Sequence, residues 1–237
     1  MENVGGINFS FIKGEYSKKT VLDFGCGNGN YSVFFLKKGF NVVAVDIKPD
    51  SEETILKKLT KDQKYRFKFF CLNAEKEELP KELPQLDYIL CREVLEHIKN
   101  YKNLIDNFYK KLNTDGVLIV SVPNSITEKY FSFWDPDWVE KCKHVNIFTR
   151  KELIDFFDKN NFKIFKKGSH SFRRTIFWSL VTPFRINHDM GRVLSHKKLT
   201  DFANFISNGI CYFKFIDRLG NYIIPKSWVF YLKKKDE

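Results

Sequence analysis

Val21-Leu22-Asp23-Phe24-Gly25-Cys26-Gly27-Asn28-Gly29-Asn30-Tyr31-Ser32 is the stretch whose reading decides the fold. An apolar run stops at an acid and turns through three alternate glycines. Val21 and Leu22 suit a buried parallel strand. The apolar spacing of Tyr31, Phe34, Phe35 and, beyond them, Phe40 predicts a helix packed back on that strand. Glycines at 25, 27 and 29 let the backbone bend sharply and approach a ligand, where a Cβ would collide with it. The unit reads as a nucleoside-binding turn.

Spacing separates two cofactor classes. A dinucleotide fingerprint wants G-x-G-x-x-G, with its third glycine where this chain has Asn30, and needs no acid two residues before the first glycine. Here that acid is Asp23. The stretch resembles motif I of the class I S-adenosylmethionine (SAM)-dependent methyltransferases, an acid followed by G-x-G-x-G. The resemblance implies that SAM is the cofactor. It places Asp23, Gly25, Cys26, Gly27, Asn28, Gly29 and Tyr31 around the ribose and the methionine tail, whose ammonium and sulfonium suit a carboxylate at the strand tip.

At 237 residues the chain suits a single domain with an elaboration and is long enough to bury a full α/β core. Hydrophobic content of 43% beside 29% charged residues is that of an ordinary soluble protein. Cys26, Cys71, Cys91, Cys142 and Cys211 lie far apart with no C-x-x-C pair, so they read as reduced thiols. No charged-then-apolar leader opens the chain, and no run approaches the ~20 apolar residues of a membrane span. A cytoplasmic location is expected, with peripheral contact on the inner membrane face left open. The formal charge of +11 is uneven: residues 169–237 hold 12 Lys/Arg against 5 Asp/Glu, a net of +7, which leaves +4 for the first 168. An anionic partner would meet the C-terminal third, unless that surface is simply a basic, solvated face.

Residues 1–19, with glycines at 5, 6 and 14, read as a mobile cap over the cofactor mouth. Asn41–Asp46 is a second buried strand ending in an acid 23 residues beyond Asp23. Such an acid accepts hydrogen bonds from both ribose hydroxyls, and Ile47 follows it at the cofactor. Residues 51–61 look helical, and Tyr65–Leu72 alternates as a third strand. Asn73-Ala74-Glu75 stands where the family has an acid and a small residue beside the adenine. Asn73 can both donate and accept at the adenine edge, with Ala74 next to it. Leu86–Cys91 is the fourth strand, and Cys91 and Arg92 complete the expected cofactor contacts.

Arg92-Glu93-Val94-Leu95-Glu96-His97-Ile98 resembles the Glu-Val-Leu-Glu-His signature of ubiquinone-biosynthesis O-methyltransferases and their relatives among the type 11, 12 and 23 methyltransferase domains. If helical, Glu93, Glu96 and His97 share one face. The resemblance implies a divalent metal on those three; the alternative, that Glu96 and His97 brace the helix, is preferred, and no metal is expected. A helix over 100–112 leads through the turn signal Asn113-Thr114-Asp115-Gly116 into a fifth strand, Val117–Val122. Pro123-Asn124-Ser125 leaves the sheet at its ligand-binding edge, and the aromatic-rich residues 126–148 read as a wall of the acceptor pocket. His144 opens a His-x-x-x-Phe-Thr-x-x-Glu-Leu pattern shared with relatives. It is the candidate base for an attacking hydroxyl, with His97 the second candidate, or else it caps the next helix.

A sixth strand follows Asn161-Phe162, and Ser227–Lys233 is an antiparallel seventh. Residues 169–226 between them are an insertion with Arg173, Arg174 and Arg185 around aromatic bulk: a substrate lid, an interfacial anchor, an RNA-binding face or extra helical core. The expected fold is a Rossmann-like α/β domain, a seven-stranded, mostly parallel sheet of order 3-2-1-4-5-7-6 with helices on both faces and a helical lid between the last two strands. The expected activity is methyl transfer from SAM to an oxygen of a small-molecule, lipid-like or glycan acceptor. Two rivals remain: an RNA methyltransferase using the basic C-terminal third, a nucleic-acid partner being the lesser expectation, and a non-catalytic partner protein of the same fold.

Overall fold

The computed structural model describes residues 3–184 and 197–235, so Arg185 lies outside the described residues. Its main sheet contains β1 (Thr20–Phe24), β2 (Asn41–Asp46), β3 (Phe67–Cys71), β4 (Leu86–Arg92), β5 (Leu112–Pro123), β6 (Phe162–His170) and β7 (Ser227–Lys234). Across the sheet they run 3-2-1-4-5-7-6, the expected order. β3, β2, β1, β4 and β5 pair in parallel, and β7 is antiparallel to both β5 and β6.

Alternation along the strands feeds two cores. Leu22, Phe24, Val43, Val45, Ile89 and Cys91 enter one cluster; Val21, Val42, Ala44, Tyr88 and Leu90 enter the other. Both faces are apolar because both are covered, as parallel strands require. α1 (Asn30–Lys38) and α2 (Asp50–Leu56) bury Phe35, Leu36 and Ile55 on one face. After the short α3 (Lys61–Lys64), α4 (Tyr101–Lys111) buries Leu104, Ile105 and Phe108 on the other.

The structure departs from the sequence reading in several places. The N-terminal residues are not a mobile cap: Asn3–Val4 pairs with Ile7–Asn8, and Ile7, Phe9 and Ile12 are buried in the α1 core. The Asn8 N–H donates to the Tyr231 hydroxyl at 2.8 Å, fastening the segment to β7. The helix expected over 51–61 is two pieces. Thr60 and Gln63 form a reciprocal capping box that restarts the chain as α3. Asn113–Gly116 is not a turn. α4 passes directly into β5, whose first residue pairs with Leu86 before a register shift. β6 runs on to His170, so the insertion begins at Ser171.

Beyond β5 come α5 (Ser125–Trp134), α6 (Trp138–Lys141) and α7 (Arg150–Lys159). Among its described residues the insertion holds α8 (Phe172–Val181), α9 (Lys197–Tyr212) and α10 (Lys214–Ile223). Val181 and Ala203 join α8 to α9 in a small core with Phe177 and Trp178. The outer faces stay open: Phe205 is 75%, Phe215 76% and Tyr222 83% exposed.

Candidate active site

After Phe24 the chain turns across the tips of β1 and β2 before α1 begins. The Gly25 and Cys26 N–H groups donate to the Val45 carbonyl at 2.8 and 3.0 Å. The Gly27 N–H donates to Asp46 Oδ2 at 2.7 Å, and the Lys48 N–H to Asp46 Oδ1 at 3.0 Å. Asp46 therefore ties the turn to the end of β2 while facing a cavity of about 400 Å³. Gly25, Gly27 and Gly29 all have left-handed φ, 73°, 52° and 72°. Their surroundings differ. A Cβ would lie 2.2 Å from Val94 at Gly25 and 2.2 Å from Ile55 at Gly29, but nothing stands within 4 Å at Gly27. Gly25 and Gly29 are thus required by packing, whereas at Gly27 the space a Cβ would take is open.

Of the expected cofactor contacts, Gly25, Gly27, Asp46, Ile47, Asn73 and Ala74 line this cavity. Asp23, Cys26, Asn28, Gly29, Tyr31, Cys91 and Arg92 stand outside its wall. Asp23 is buried and accepts a hydrogen bond from Ser32 Oγ at 2.6 Å; burial raises its pKa to about 6 against that bond. Asn28 gives its carbonyl to Lys58 Nζ, and Gly29 is the N-cap of α1. Tyr31 donates its hydroxyl to the Val4 carbonyl at 3.2 Å, with the Arg92 guanidinium 5.6 Å from its ring centre. Cys91 is sealed in the sheet core. Sequence reasoning missed the apolar wall of Leu72, Val94 and Ile98, and also Lys48 and Glu75, because nothing in their spacing marks a cavity.

Glu93 has φ 54°, so no α-helix starts at Arg92; a single 3-10 turn, Leu95–His97, follows instead. Its carboxylate accepts hydrogen bonds from Ser121 Oγ at 2.7 Å and Ser227 Oγ at 3.1 Å, which fixes it to β5 and β7. Burial pushes this carboxyl up, but the Lys226 and Arg92 charges and the Ser121 hydrogen bond hold it below its usual range. Glu96 goes the other way, pushed well above its usual range by burial and by the Glu93 charge.

Glu93, Glu96 and His97 therefore do not share the single face that an α-helix would have given them. Ligand atoms of Glu96, His97 and His144 converge instead, within 4.8 Å of one another. Glu96 Oε2 is buried without a hydrogen-bond partner. His97 Nδ1 lies 2.9 Å from the Lys143 carbonyl and His144 Nδ1 2.8 Å from Glu128 Oε2, so each ring is oriented through its outer nitrogen. Two imidazoles and a carboxylate fit a transition-type divalent ion better than magnesium. His97 lines the same cavity of about 400 Å³ as Gly27 and Asp46, its pKa held below the usual value by burial. His144 is not part of that wall, nor does it cap α7, whose cap is Thr149 with Glu152.

The sequence matches the model of a family described as a methyltransferase domain (Methyltransf_23) over residues 8–167. The chain belongs to this methyltransferase domain family. The ubiquinone biosynthesis O-methyltransferase of Rickettsia bellii (strain OSU 85-389) is 28% identical over 163 residues, 65% of this chain and 66% of that protein. The protein of the same name from Rickettsia typhi is 28% identical over 203 residues, 82% of this chain and 79% of its own. The match to the Rickettsia bellii protein thus spans just under two thirds of its length. Phosphoethanolamine N-methyltransferase 2 of Haemonchus contortus, solved with S-adenosyl-L-methionine, superposes with a TM-score of 0.61 at 17% identity, covering 94% of this chain and 50% of that one; this likeness is one of fold.

A buried ion pair ties the end of the insertion, which lies beyond the span matched to the methyltransferase domain, to α5 within that span. Glu128 Oε1 accepts from Lys226 Nζ at 2.8 Å, and Oε2 accepts from Trp138 Nε1 at 3.1 Å. Burial alone would raise the Glu128 carboxyl, but the His144 hydrogen bond and the Lys226 charge hold it at about 2. Within the methyltransferase domain His144 is thus engaged in this tie.

Proposed function

We propose that the protein transfers a methyl group from SAM to an oxygen of a small acceptor. The observation that carries this is the Gly27–Asp46 pair, joined by a 2.7 Å hydrogen bond and opening together onto one cavity. The ribose hydroxyls meet Asp46, the adenine edge meets Asn73 beside Ala74, and the methionine tail follows the glycine turn toward the tip of β4. Asp23, buried behind the turn, offers its carboxylate to the cationic tail.

Transfer is an in-line displacement. A lone pair of the acceptor oxygen forms the new C–O bond as the S–C bond breaks, the sulfonium becomes a neutral thioether, and the hydroxyl proton leaves to water or a base. Holding the oxygen in line about 3 Å from the methyl is worth roughly 7–11 kcal/mol, more than the 10²- to 10⁴-fold that a general base usually supplies. Neither His97 nor His144 is needed as the source of the rate. A divalent ion, if bound by Glu96, His97 and His144, would supply Lewis-acid polarisation of an oxygen; the proposed transfer does not depend on it.

The oxygen acceptor is supported by the names of the Rickettsia relatives. The proposal extends to a lipid-linked acceptor reached through peripheral membrane contact by the exposed aromatic faces of α9 and α10. No helix of the described residues is long and apolar enough to cross a membrane. The test is incubation with methyl-labelled SAM and cell extract, followed by sorting of label into lipid, RNA and small soluble pools. Label is expected in the lipid or soluble pool; label confined to RNA, or none, would overturn the proposal.

A further inference from the structure

A second cavity, of about 550 Å³, lies where the β4 tip meets the insertion. Consecutive residues serve the two spaces, Glu93 lining the cofactor cavity and Arg92 this one. Its walls come from the N-terminal hairpin at Gly5 and Gly6, the end of β6, the first turn of α8 and the inner side of α10. Three guanidiniums, Arg92, Arg173 and Arg174, face it against one carboxylate, Asp217. Asp217 is already engaged by Asn221 Nδ2 at 3.1 Å. Among the described residues none of the three arginines has an ion-pair partner within 4.0 Å. Arg92 Nε is buried with no hydrogen-bond partner, and Arg173 reaches Asn208 Oδ1 at 3.2 Å.

This arrangement works against folding. Arg173 and Arg174 occupy the first turn of α8, which holds no acid, and the positive end of a helix disfavours cations. The Arg174 guanidinium is held below its ordinary range, by burial first and then by Arg92. His170 in the same wall adds no charge, because burial, reinforced by Arg92 and Arg174, lowers its pKa to about 4. Converging unpaired cations in a cavity are satisfied by an anion. The single carboxylate of a methionine tail takes one guanidinium fork, and Arg92, adjoining Glu93, is the arginine within its reach. Arg173 and Arg174 remain for a second anion.

We propose that this cavity is the acceptor site and that the acceptor carries an oxyanion seated between Arg173 and Arg174, with its reacting oxygen toward the β4 tip. The inference rests on the assignment of the first cavity to the cofactor. Inorganic phosphate is the probe, titrated calorimetrically at fixed ionic strength into the full chain saturated with S-adenosylhomocysteine. Saturable binding is expected, weakened at least about tenfold in Arg173→Gln/Arg174→Gln, partly restored in Arg173→Lys/Arg174→Lys, and unaltered in Lys163→Gln/Lys233→Gln at the opposite end of β6 and β7. Arg173 and Arg174 each keep part of their surface open to solvent while their guanidiniums turn into the cavity, and melting followed by circular dichroism checks that each variant folds; if the double variant does not, Arg174→Gln alone is read the same way.

Phosphate that fails to bind the parent, or binds parent and variant alike, overturns the anion site. S-adenosylhomocysteine that fails to bind while phosphate still depends on Arg173 and Arg174 overturns the cofactor assignment instead and upholds the anion site. Retention on phosphatidylcholine vesicles containing phosphatidic acid, reversed by phosphate and lost in the double variant, supports the site with a lipid headgroup as its source. Phosphate binding without such retention supports it with a soluble acceptor.

Discussion

The Asp23 carboxyl is 3% exposed, with the Ser32 hydroxyl donating to it and a pKa raised by burial from 3.8 to about 6. The folded state keeps its proton at higher pH than the unfolded chain does. Between about pH 4 and 6 the unfolded state therefore binds fewer protons, stability falls as pH rises, and above 6 the loss is complete at roughly 3 kcal/mol. Asp23→Asn should accordingly raise the Tm at pH 8 and leave it nearly unchanged at pH 4; scanning calorimetry showing no gain at pH 8 would refute the desolvation argument. At Asp46 the expected effect is on ligand. Asp46→Ala should weaken S-adenosylhomocysteine binding about ten- to a hundredfold, because charge-assisted bonds to the ribose and to Gly27 are lost together. An unchanged calorimetric affinity would remove the ribose contact. These acids and glycines were legible in the sequence because each closes an apolar strand. Glu93 was not: a left-handed non-glycine is held in place by Ser121 and Ser227, which lie 28 and 134 residues away.

Elements were legible where local pattern and tertiary demand agree, as in β1, β2, β4 and β5, whose apolar runs match burial on both faces. They were not where pairing overrides turn chemistry, as at Asn113–Gly116, drawn into β5 despite its glycine and aspartate. The tie between α5 and the start of β7 belongs to this scale too. Lys226→Met would leave Glu128 charged and buried without its cation, a loss of about 3–5 kcal/mol. Thermal melting should show a large fall in Tm, mostly recovered in Glu128→Gln/Lys226→Met; a double variant whose loss equals the sum of the two single losses would mean that the pair is not coupled. The Glu96, His97 and His144 cluster is a matter of element placement, since the 3-10 turn brings His97 to the loop after α6. Dialysis against EDTA should leave methyl transfer in labelled extract intact. Complete loss with full rescue by added divalent ion would bring the cluster into the reaction.

On the scale of the whole molecule, composition made the basic C-terminal third visible, but not which aromatics would be left uncovered. Along α10, Phe215, Ile216, Leu219, Tyr222 and Ile223 fall at helical spacing on one face and are all exposed; Phe202 and Phe205 of α9 are exposed as well. Contiguous apolar surface of this kind marks an interaction site more often than chance exposure. Lys214 and Arg218 lie on α10 itself. Each cation near an anionic membrane surface is worth about 1 kcal/mol, and the effect decays within a Debye length, so attachment through this face should be reversible and salt-sensitive. The prediction is that the protein floats with phosphatidylglycerol-containing vesicles at low salt and is released at high salt. Phe215→Ser/Tyr222→Ser should abolish flotation while leaving S-adenosylhomocysteine affinity unchanged, because the glycine turn and Asp46 lie across the domain on β1 and β2. If the parent never floats at low salt, or the double variant floats equally well, the aromatic face of α10 does not meet a membrane, and a lipid-linked acceptor loses its physical route to the cavity at the β4 tip.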